Sequence, residues 1–143
     1  MIWQLATISA LVACCGYALA FGGTIERIGA ALMIAALVLT SLALHLFGTF
    51  YQTADIAIIM IDATLLVGLV ALALFSDRSW PLWASGFHLV GTVTHMAILG
   101  NAVIAPIAYA HTLGLWYYLT LLSLLVGTIQ YHRAIRAANH DKP

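Results

Sequence analysis

Charged residues are scarce in this chain of 143 residues, which has five Lys or Arg and five Asp or Glu, together 7% of the sequence. Soluble domains carry about 25% charged residues, so this composition excludes an ordinary soluble domain. The formal net charge is zero, and the few basic residues do not form a cluster of binding size. Nucleic acid is therefore not an expected partner.

Motifs of known enzyme classes are also missing. The sequence has no nucleophile elbow, no phosphate-binding loop, no zinc-protease helix and no paired carboxylates. Its two cysteines, Cys14 and Cys15, are adjacent and so do not define a disulfide framework. The sequence does not favour an enzyme, and it predicts no catalytic residue.

Hydrocarbon side chains are abundant instead: 64% of residues are hydrophobic, and the mean hydropathy is +1.04. Five apolar runs each have about the 20 residues that cross a bilayer as a helix. They cover residues 2–21, 28–50, 56–75, 81–99 and 112–131. The predicted fold is all-α: residues 1–143 form one polytopic transmembrane bundle of five spans, ending in a short basic tail, 132–143.

The basic residues predict the orientation of this bundle. Arg27 lies in the first connection, Arg78 in the third, and Arg133, Arg136 and Lys142 follow the fifth run. Because short loops rich in Lys and Arg stay in the cytoplasm, the N-terminus is predicted outside and the C-terminus inside. We expect an integral protein of a bacterial inner membrane. Its first span is expected to be retained, although Ala18-Leu19-Ala20 has the form of a signal-peptidase site, because cleavage there would leave Arg27 outside.

Two connections have local signals of their own. In SDRSWPLW, Asp77 or Ser79 can cap the fourth helix, and Trp80 and Trp83 are expected to anchor it at the headgroups without binding a ligand. The apolar stretch of residues 100–111 is predicted to be a connection that is broken at Pro106.

Ionisable side chains inside the spans are the main functional signal. His45 and Asp62 fall roughly 7 to 10 Å below the outer ends of helices two and three, and His95 falls about 6 to 9 Å below the outer end of helix four. His88, Thr92 and His95 share one face of the fourth helix, with His88 near mid-membrane. An unpaired Asp62 would cost at least about 2.5 to 3.5 kcal/mol, so a histidine partner is expected. Small residues at the starts of helices two and four predict that both helices are central in the bundle and lie beside each other or nearly so.

Four functions fit this layer of residues, and the sequence leaves them open. His45, Asp62 and His95 form a ligand set for a divalent metal ion. His45 and His95 alone can be the axial ligands of haem b. Protons can pass between Asp62, mid-membrane His88 and the other two histidines in a proton-coupled channel or carrier, which would be oligomeric.

The sequence favours the fourth function, an accessory or assembly subunit, over the other three. In that reading an Asp–His hydrogen bond between helices fixes the packing of a small non-catalytic bundle within a larger inner-membrane complex. The expected partners are the lipid bilayer and other membrane subunits or further copies of the chain.

Overall fold

The computed structural model describes residues 2–47, 51–99 and 106–140, with the side chains of residues 5–47, 56–96 and 114–140. These ranges form five α-helices and contain no strand. The helices are α1 (Ile2–Phe21), α2 (Thr24–Phe47), α3 (Tyr51–Phe75), α4 (Trp80–Leu99) and α5 (Pro106–His140). The prediction of an all-α chain with five helices is confirmed.

Two of these helices are suited to crossing a membrane. Within the described residues, Thr24–Phe47 and Ile56–Phe75 have the necessary length, with mean hydropathies of 2.2 and 2.6. Leu5–Phe21 is apolar but shorter. Membrane association is therefore indicated by two helices, and five spans remain a prediction.

The five helices form a closed ring. Each helix packs against the next, α1 packs against α5, and α2 also touches α5 across the bundle. Helix α3 is the ring neighbour of both α2 and α4, and the starts of α2 and α4 still touch, through Gly29 and Trp80. The short connections require consecutive helices to be adjacent, which places α3 between them.

The helix boundaries differ from the apolar runs at two places. Helix α2 begins at Thr24, so its first turn includes Glu26, which hydropathy alone had left outside the span. Helix α5 begins at Pro106 and continues to His140. A proline suits the first position of a helix, where its missing N–H has no helical partner. The predicted irregular connection is therefore wrong for residues 106–111, while residues 100–105 lie outside the described ranges.

Packing differs between the two halves of the bundle. We call one end the basic end: it contains the α1–α2 turn, the α3–α4 turn and the last turns of α5, with every Arg of the described chain. Next to it lies the packed half, whose core side chains are completely buried. These are Cys15, Ala18, Ala30, Leu69, Ala84 and Leu124. The other half, the cavity half, encloses open volume.

Candidate functional site

Two cavities that are partly open to the surroundings meet in the cavity half. The central cavity, of about 290 Å³, receives side chains from all five helices, including Leu11, Met33, Leu65, His88 and Tyr117. The side cavity, of about 250 Å³, extends towards Thr7, Gly91, Gly114 and Trp116. Four residues line both cavities, and we call them the polar cluster: Asp62, His88, His95 and Tyr117.

Asp62 contacts both histidines of the polar cluster. Its Oδ2 atom lies 3.5 Å from Nε2 of His95, which is the pairing expected from the depth of the two residues. The backbone oxygen of Asp62 lies 3.1 Å from Nε2 of His88. Because a carbonyl oxygen can only accept, the imidazole of His88 donates this bond. Helices α3 and α4 thus present one carboxylate and two imidazoles to the same volume.

The local sequence explains this convergence. A turn of only a few residues, Ser76 to Ser79, joins the antiparallel helices α3 and α4. Asp62 lies nearly as many residues before that turn as His95 lies after it, so both reach the same level of the bundle. Thr92 is buried between the two histidines and donates a hydrogen bond of 3.0 Å to the carbonyl of His88.

His45 does not join the cluster. Its side chain is exposed, and it lies on a different face of α2 from Met33, Ala36 and Thr40, which line the central cavity. At 100° per residue, residue 45 is rotated by roughly 130° from the centre of that face. The structure therefore does not assemble the predicted haem ligands His45 and His95.

The predicted metal site is not assembled either. The described residues contain no group of three His, Cys, Asp or Glu side chains that could hold a metal ion. Of the predicted triad, Asp62 and His95 are close to each other, while His45 points away. The residues of the predicted proton path, His88 and Asp62, are in contact through the backbone oxygen of Asp62.

Two aromatic residues of the cavity walls were missed by the sequence analysis as site residues. In the described part of the chain, Oη of Tyr117 and Nε1 of Trp116 are buried without a hydrogen-bond partner. Buried donors of this kind are uncommon and mark places where a ligand or water can be accommodated. The available signal was the run Trp116-Tyr117-Tyr118, although such aromatics are equally typical of a membrane interface.

A second carboxylate, Glu26, is buried in the packed half with 1% exposure. It accepts hydrogen bonds from Nε1 of Trp80 at 3.1 Å and from the backbone N–H of Gly23 at 3.0 Å. Nε of Arg78 lies 3.9 Å from the same carboxylate. This group, which we call the Glu26 lock, ties the start of α2 to the start of α4.

Trp80 is therefore not the interfacial anchor that the sequence predicted. Its side chain is 3% exposed, and its ring lies so close to Gly29 of α2 and Gly127 of α5 that a methyl group at either position would overlap it. Trp83, which is 62% exposed, keeps the surface position expected of an anchor. The sequence signal for the lock was an isolated glutamate three residues after Gly22-Gly23, at a helix start.

No model of a known protein family matches the chain, and no curated protein or solved structure matches it. The chemistry of the polar cluster therefore has to be derived from its own residues. The carboxylate of Asp62 accepts hydrogen bonds, the imidazoles of His88 and His95 can donate or accept, and the phenol of Tyr117 adds another donor. An apolar cavity with these groups in its wall can orient a small molecule that carries one polar group.

Proposed function

We propose that this protein is a non-catalytic accessory subunit of a bacterial inner-membrane complex, that it crosses the membrane five times, and that it binds a small ligand in its central cavity. The basic end lies in the cytoplasm and the cavity half faces outward. This orientation is supported by the basic residues of the described chain, all at one end. The first helix belongs to the bundle, since Leu11, Cys15 and Ala18 are part of its core.

The lateral surface supports the membrane placement of more than two helices. Large apolar side chains are exposed on all five, as lipid-facing residues are. Examples, with their exposed fractions, are Val12 (61%) on α1, Val38 (58%) on α2, Val67 (69%) on α3, Leu82 (65%) on α4 and Leu115 (54%) on α5. Large apolar side chains exposed on every helix are unusual for a monomeric protein in water.

The observation that carries the binding function is the central cavity, with the Asp62–His95 pair in its wall. A hydrogen bond that served only to fix helix packing would not need open volume beside it, since protein interiors are close-packed. The volume of about 290 Å³ suits a ligand of about one substituted ring. The ligand class is a small, lipid-soluble molecule with a carbonyl, hydroxyl or amino group that pairs with Asp62 and His95.

Binding is better supported than conduction. A channel or carrier requires polar groups or water along its whole path. Between the central cavity and the basic end, the described core is filled by completely buried side chains such as Leu69, Ala84 and Leu124. The cavity is therefore closed at the end next to the packed half, as a binding site is.

The decisive experiment uses three ring-sized probes that differ in their polar group: a methyl-substituted benzoquinone, its hydroquinone, and benzylamine. Each is titrated into protein purified in dodecyl maltoside, and the fluorescence of Trp116 is obtained as the difference from Trp116→Phe. We expect saturable binding of at least one probe. Asp62→Asn should weaken it at least about tenfold, since hydrogen bonds to charged groups are the stronger ones.

Two variants of α2 complete this test. Ala36→Leu extends into the central cavity and should block the probe, while His45→Ala, on the exposed face, should leave binding unchanged. Absence of saturable binding, or equal binding by wild type, Asp62→Asn and Ala36→Leu, would refute the binding function. The accessory role is tested separately: the protein should co-purify in fixed ratio with larger membrane proteins, and isolation as a lone monomer would contradict it.

A further inference from the structure

A groove of about 260 Å³ lies between α4 and α5 in the packed half, on the outside of the bundle and apart from the polar cluster. Its walls are apolar and include Trp83, Phe87, Leu122 and Val126. The rings of Trp83 and Phe87 lie 6.5 Å apart along α4. The end of the groove nearest the basic end is polar, with Ser79 on one side and Gln130 on the other.

The groove is open to the surroundings of the bundle. Trp83 is 62% exposed, Leu122 is 51% exposed and Val126 is 42% exposed. An occupant must therefore be apolar along most of its length and polar at the basic end. Within a bilayer, a phospholipid has this shape, with an acyl chain that can lie against the aromatic wall.

The charges near the polar end of the groove favour an anionic headgroup. Arg133 is exposed and follows Gln130 by three residues and Val126 by seven, so it continues the same face of α5 beyond the groove. Arg78, with its guanidinium 4.9 Å from the ring centre of Tyr131, immediately precedes Ser79.

Carboxylates near this end do not cancel the positive charge. Glu26 is matched by Arg78, and the exposed Asp77 can offset only one of the three remaining arginines of the basic end, Arg27, Arg133 and Arg136. A net positive charge remains beside the polar end of the groove.

We infer that this groove is a specific site for one anionic phospholipid, with its phosphate at Arg133 and an acyl chain along Trp83 and Phe87. The inference rests on the proposed membrane placement, in which the basic end faces the anionic lipids of the cytoplasmic leaflet. It adds a ligand class and a site that are independent of the central cavity.

The test compares binding of phosphatidylglycerol and phosphatidylcholine with identical acyl chains to the purified full-length protein, by native mass spectrometry from detergent. We expect one tightly bound phosphatidylglycerol. Arg133→Gln should weaken it about fivefold, the effect of one basic side chain near an anionic lipid, and should leave phosphatidylcholine unchanged. Arg27→Gln is the matched control, because Arg27 is exposed at the same end on α2, which does not line the groove. Leu122→Trp fills the groove and should weaken both lipids.

Four results would overturn the site. They are equal affinity for the two lipids, equal losses in Arg133→Gln and Arg27→Gln, full phosphatidylglycerol binding by Leu122→Trp, and competition by soluble glycerol phosphate, which would indicate a phosphate site without a lipid. Failure of the membrane placement is recognised independently: the protein would be released from carbonate-washed membranes. A protein that stays in those membranes but does not prefer phosphatidylglycerol would refute the groove alone.

Discussion

The carboxylates of the buried Glu26 and the half-buried Asp62 have opposite surroundings. Glu26 is 1% exposed, accepts two hydrogen bonds and faces a ring that fills the space around it. The side chain of Asp62 is 19% exposed, lies 3.5 Å from its imidazole partner and borders two cavities. The same chemical group is thus held by its neighbours where they fill the volume, and borders open volume, as the proposed binding site requires, where they do not.

Glycines have different neighbours in the two halves. In the packed half, Gly29 and Gly127 allow the ring of Trp80 to lie directly against two backbones. In the cavity half, a Cβ on Gly91 would meet only Trp116 at an ordinary 3.6 Å, and one on Gly114 only the ring edge of Tyr118 at 4.0 Å. Small residues bring membrane helices together only when a neighbour fills the space above them.

The largest expected effect comes from removing the ring that fills the packed half. Trp80→Ala should lower the free energy of unfolding by about 3 to 5 kcal/mol, because it leaves a cavity and removes one of the two hydrogen-bond donors to Glu26. Denaturant titration in dodecyl maltoside measures this change. Trp83→Ala, at an exposed site on the same helix, is the control and should change stability little. Similar losses in both variants would mean that the Glu26 lock does not stabilise the bundle.

On helix α2, alanine can be replaced by leucine in both halves of the bundle. Ala30 is completely buried in the packed half, whereas Ala36 lines the central cavity. Ala30→Leu should cost about 1 to 3 kcal/mol through overpacking, and Ala36→Leu should cost clearly less because its side chain enters open volume. Thermal and denaturant unfolding of the two variants, side by side, measure the difference. A reversed order would show that the halves do not differ in packing.

The carboxylates can be compared directly by replacing each with its amide. Glu26→Gln keeps the shape of the side chain but replaces one of its two accepting oxygens with an NH₂ group, which then faces a donor N–H. A loss of about 1 to 3 kcal/mol in unfolding free energy is therefore expected. Asp62→Asn should change stability by less than about 1 kcal/mol, while it weakens probe binding. If Asp62→Asn were the more destabilising of the two, the Asp62–His95 pair would be structural and the proposed site would lose its basis.

The smallest effect is expected at His45. His45→Ala should alter stability by no more than about 0.5 kcal/mol, because the side chain is exposed and rotated away from the cavity. His95→Ala, on α4, should abolish probe binding and should cost more stability than His45→Ala, because it leaves Asp62 without its imidazole partner. An absorption spectrum and metal analysis of the purified protein accompany this pair. A Soret band or bound metal lost equally in both variants would restore the cofactor functions that the geometry does not assemble.

Prediction from the sequence succeeded for features that depend only on the position of a residue along its helix. The lengths of the apolar runs predicted five helices, and residue counts from the outer ends of the third and fourth runs predicted that Asp62 and His95 would lie level. It failed where rotation about the helix axis mattered. His45 lies at a similar depth but on another face, and Trp80, at a predicted interface, is turned inward between two glycines.

The physical reason is that the helices have no clear polar face. In a soluble protein, a polar face shows which side of a helix is exposed. Here apolar residues surround each helix, so the sequence itself determined the number of helices, the one-sided placement of the basic residues and the depth of each ionisable group. Which side chains face one another was decided only by packing in the closed ring. That packing buried Glu26 under Trp80, joined His88 and His95 to Asp62, and left His45 outside.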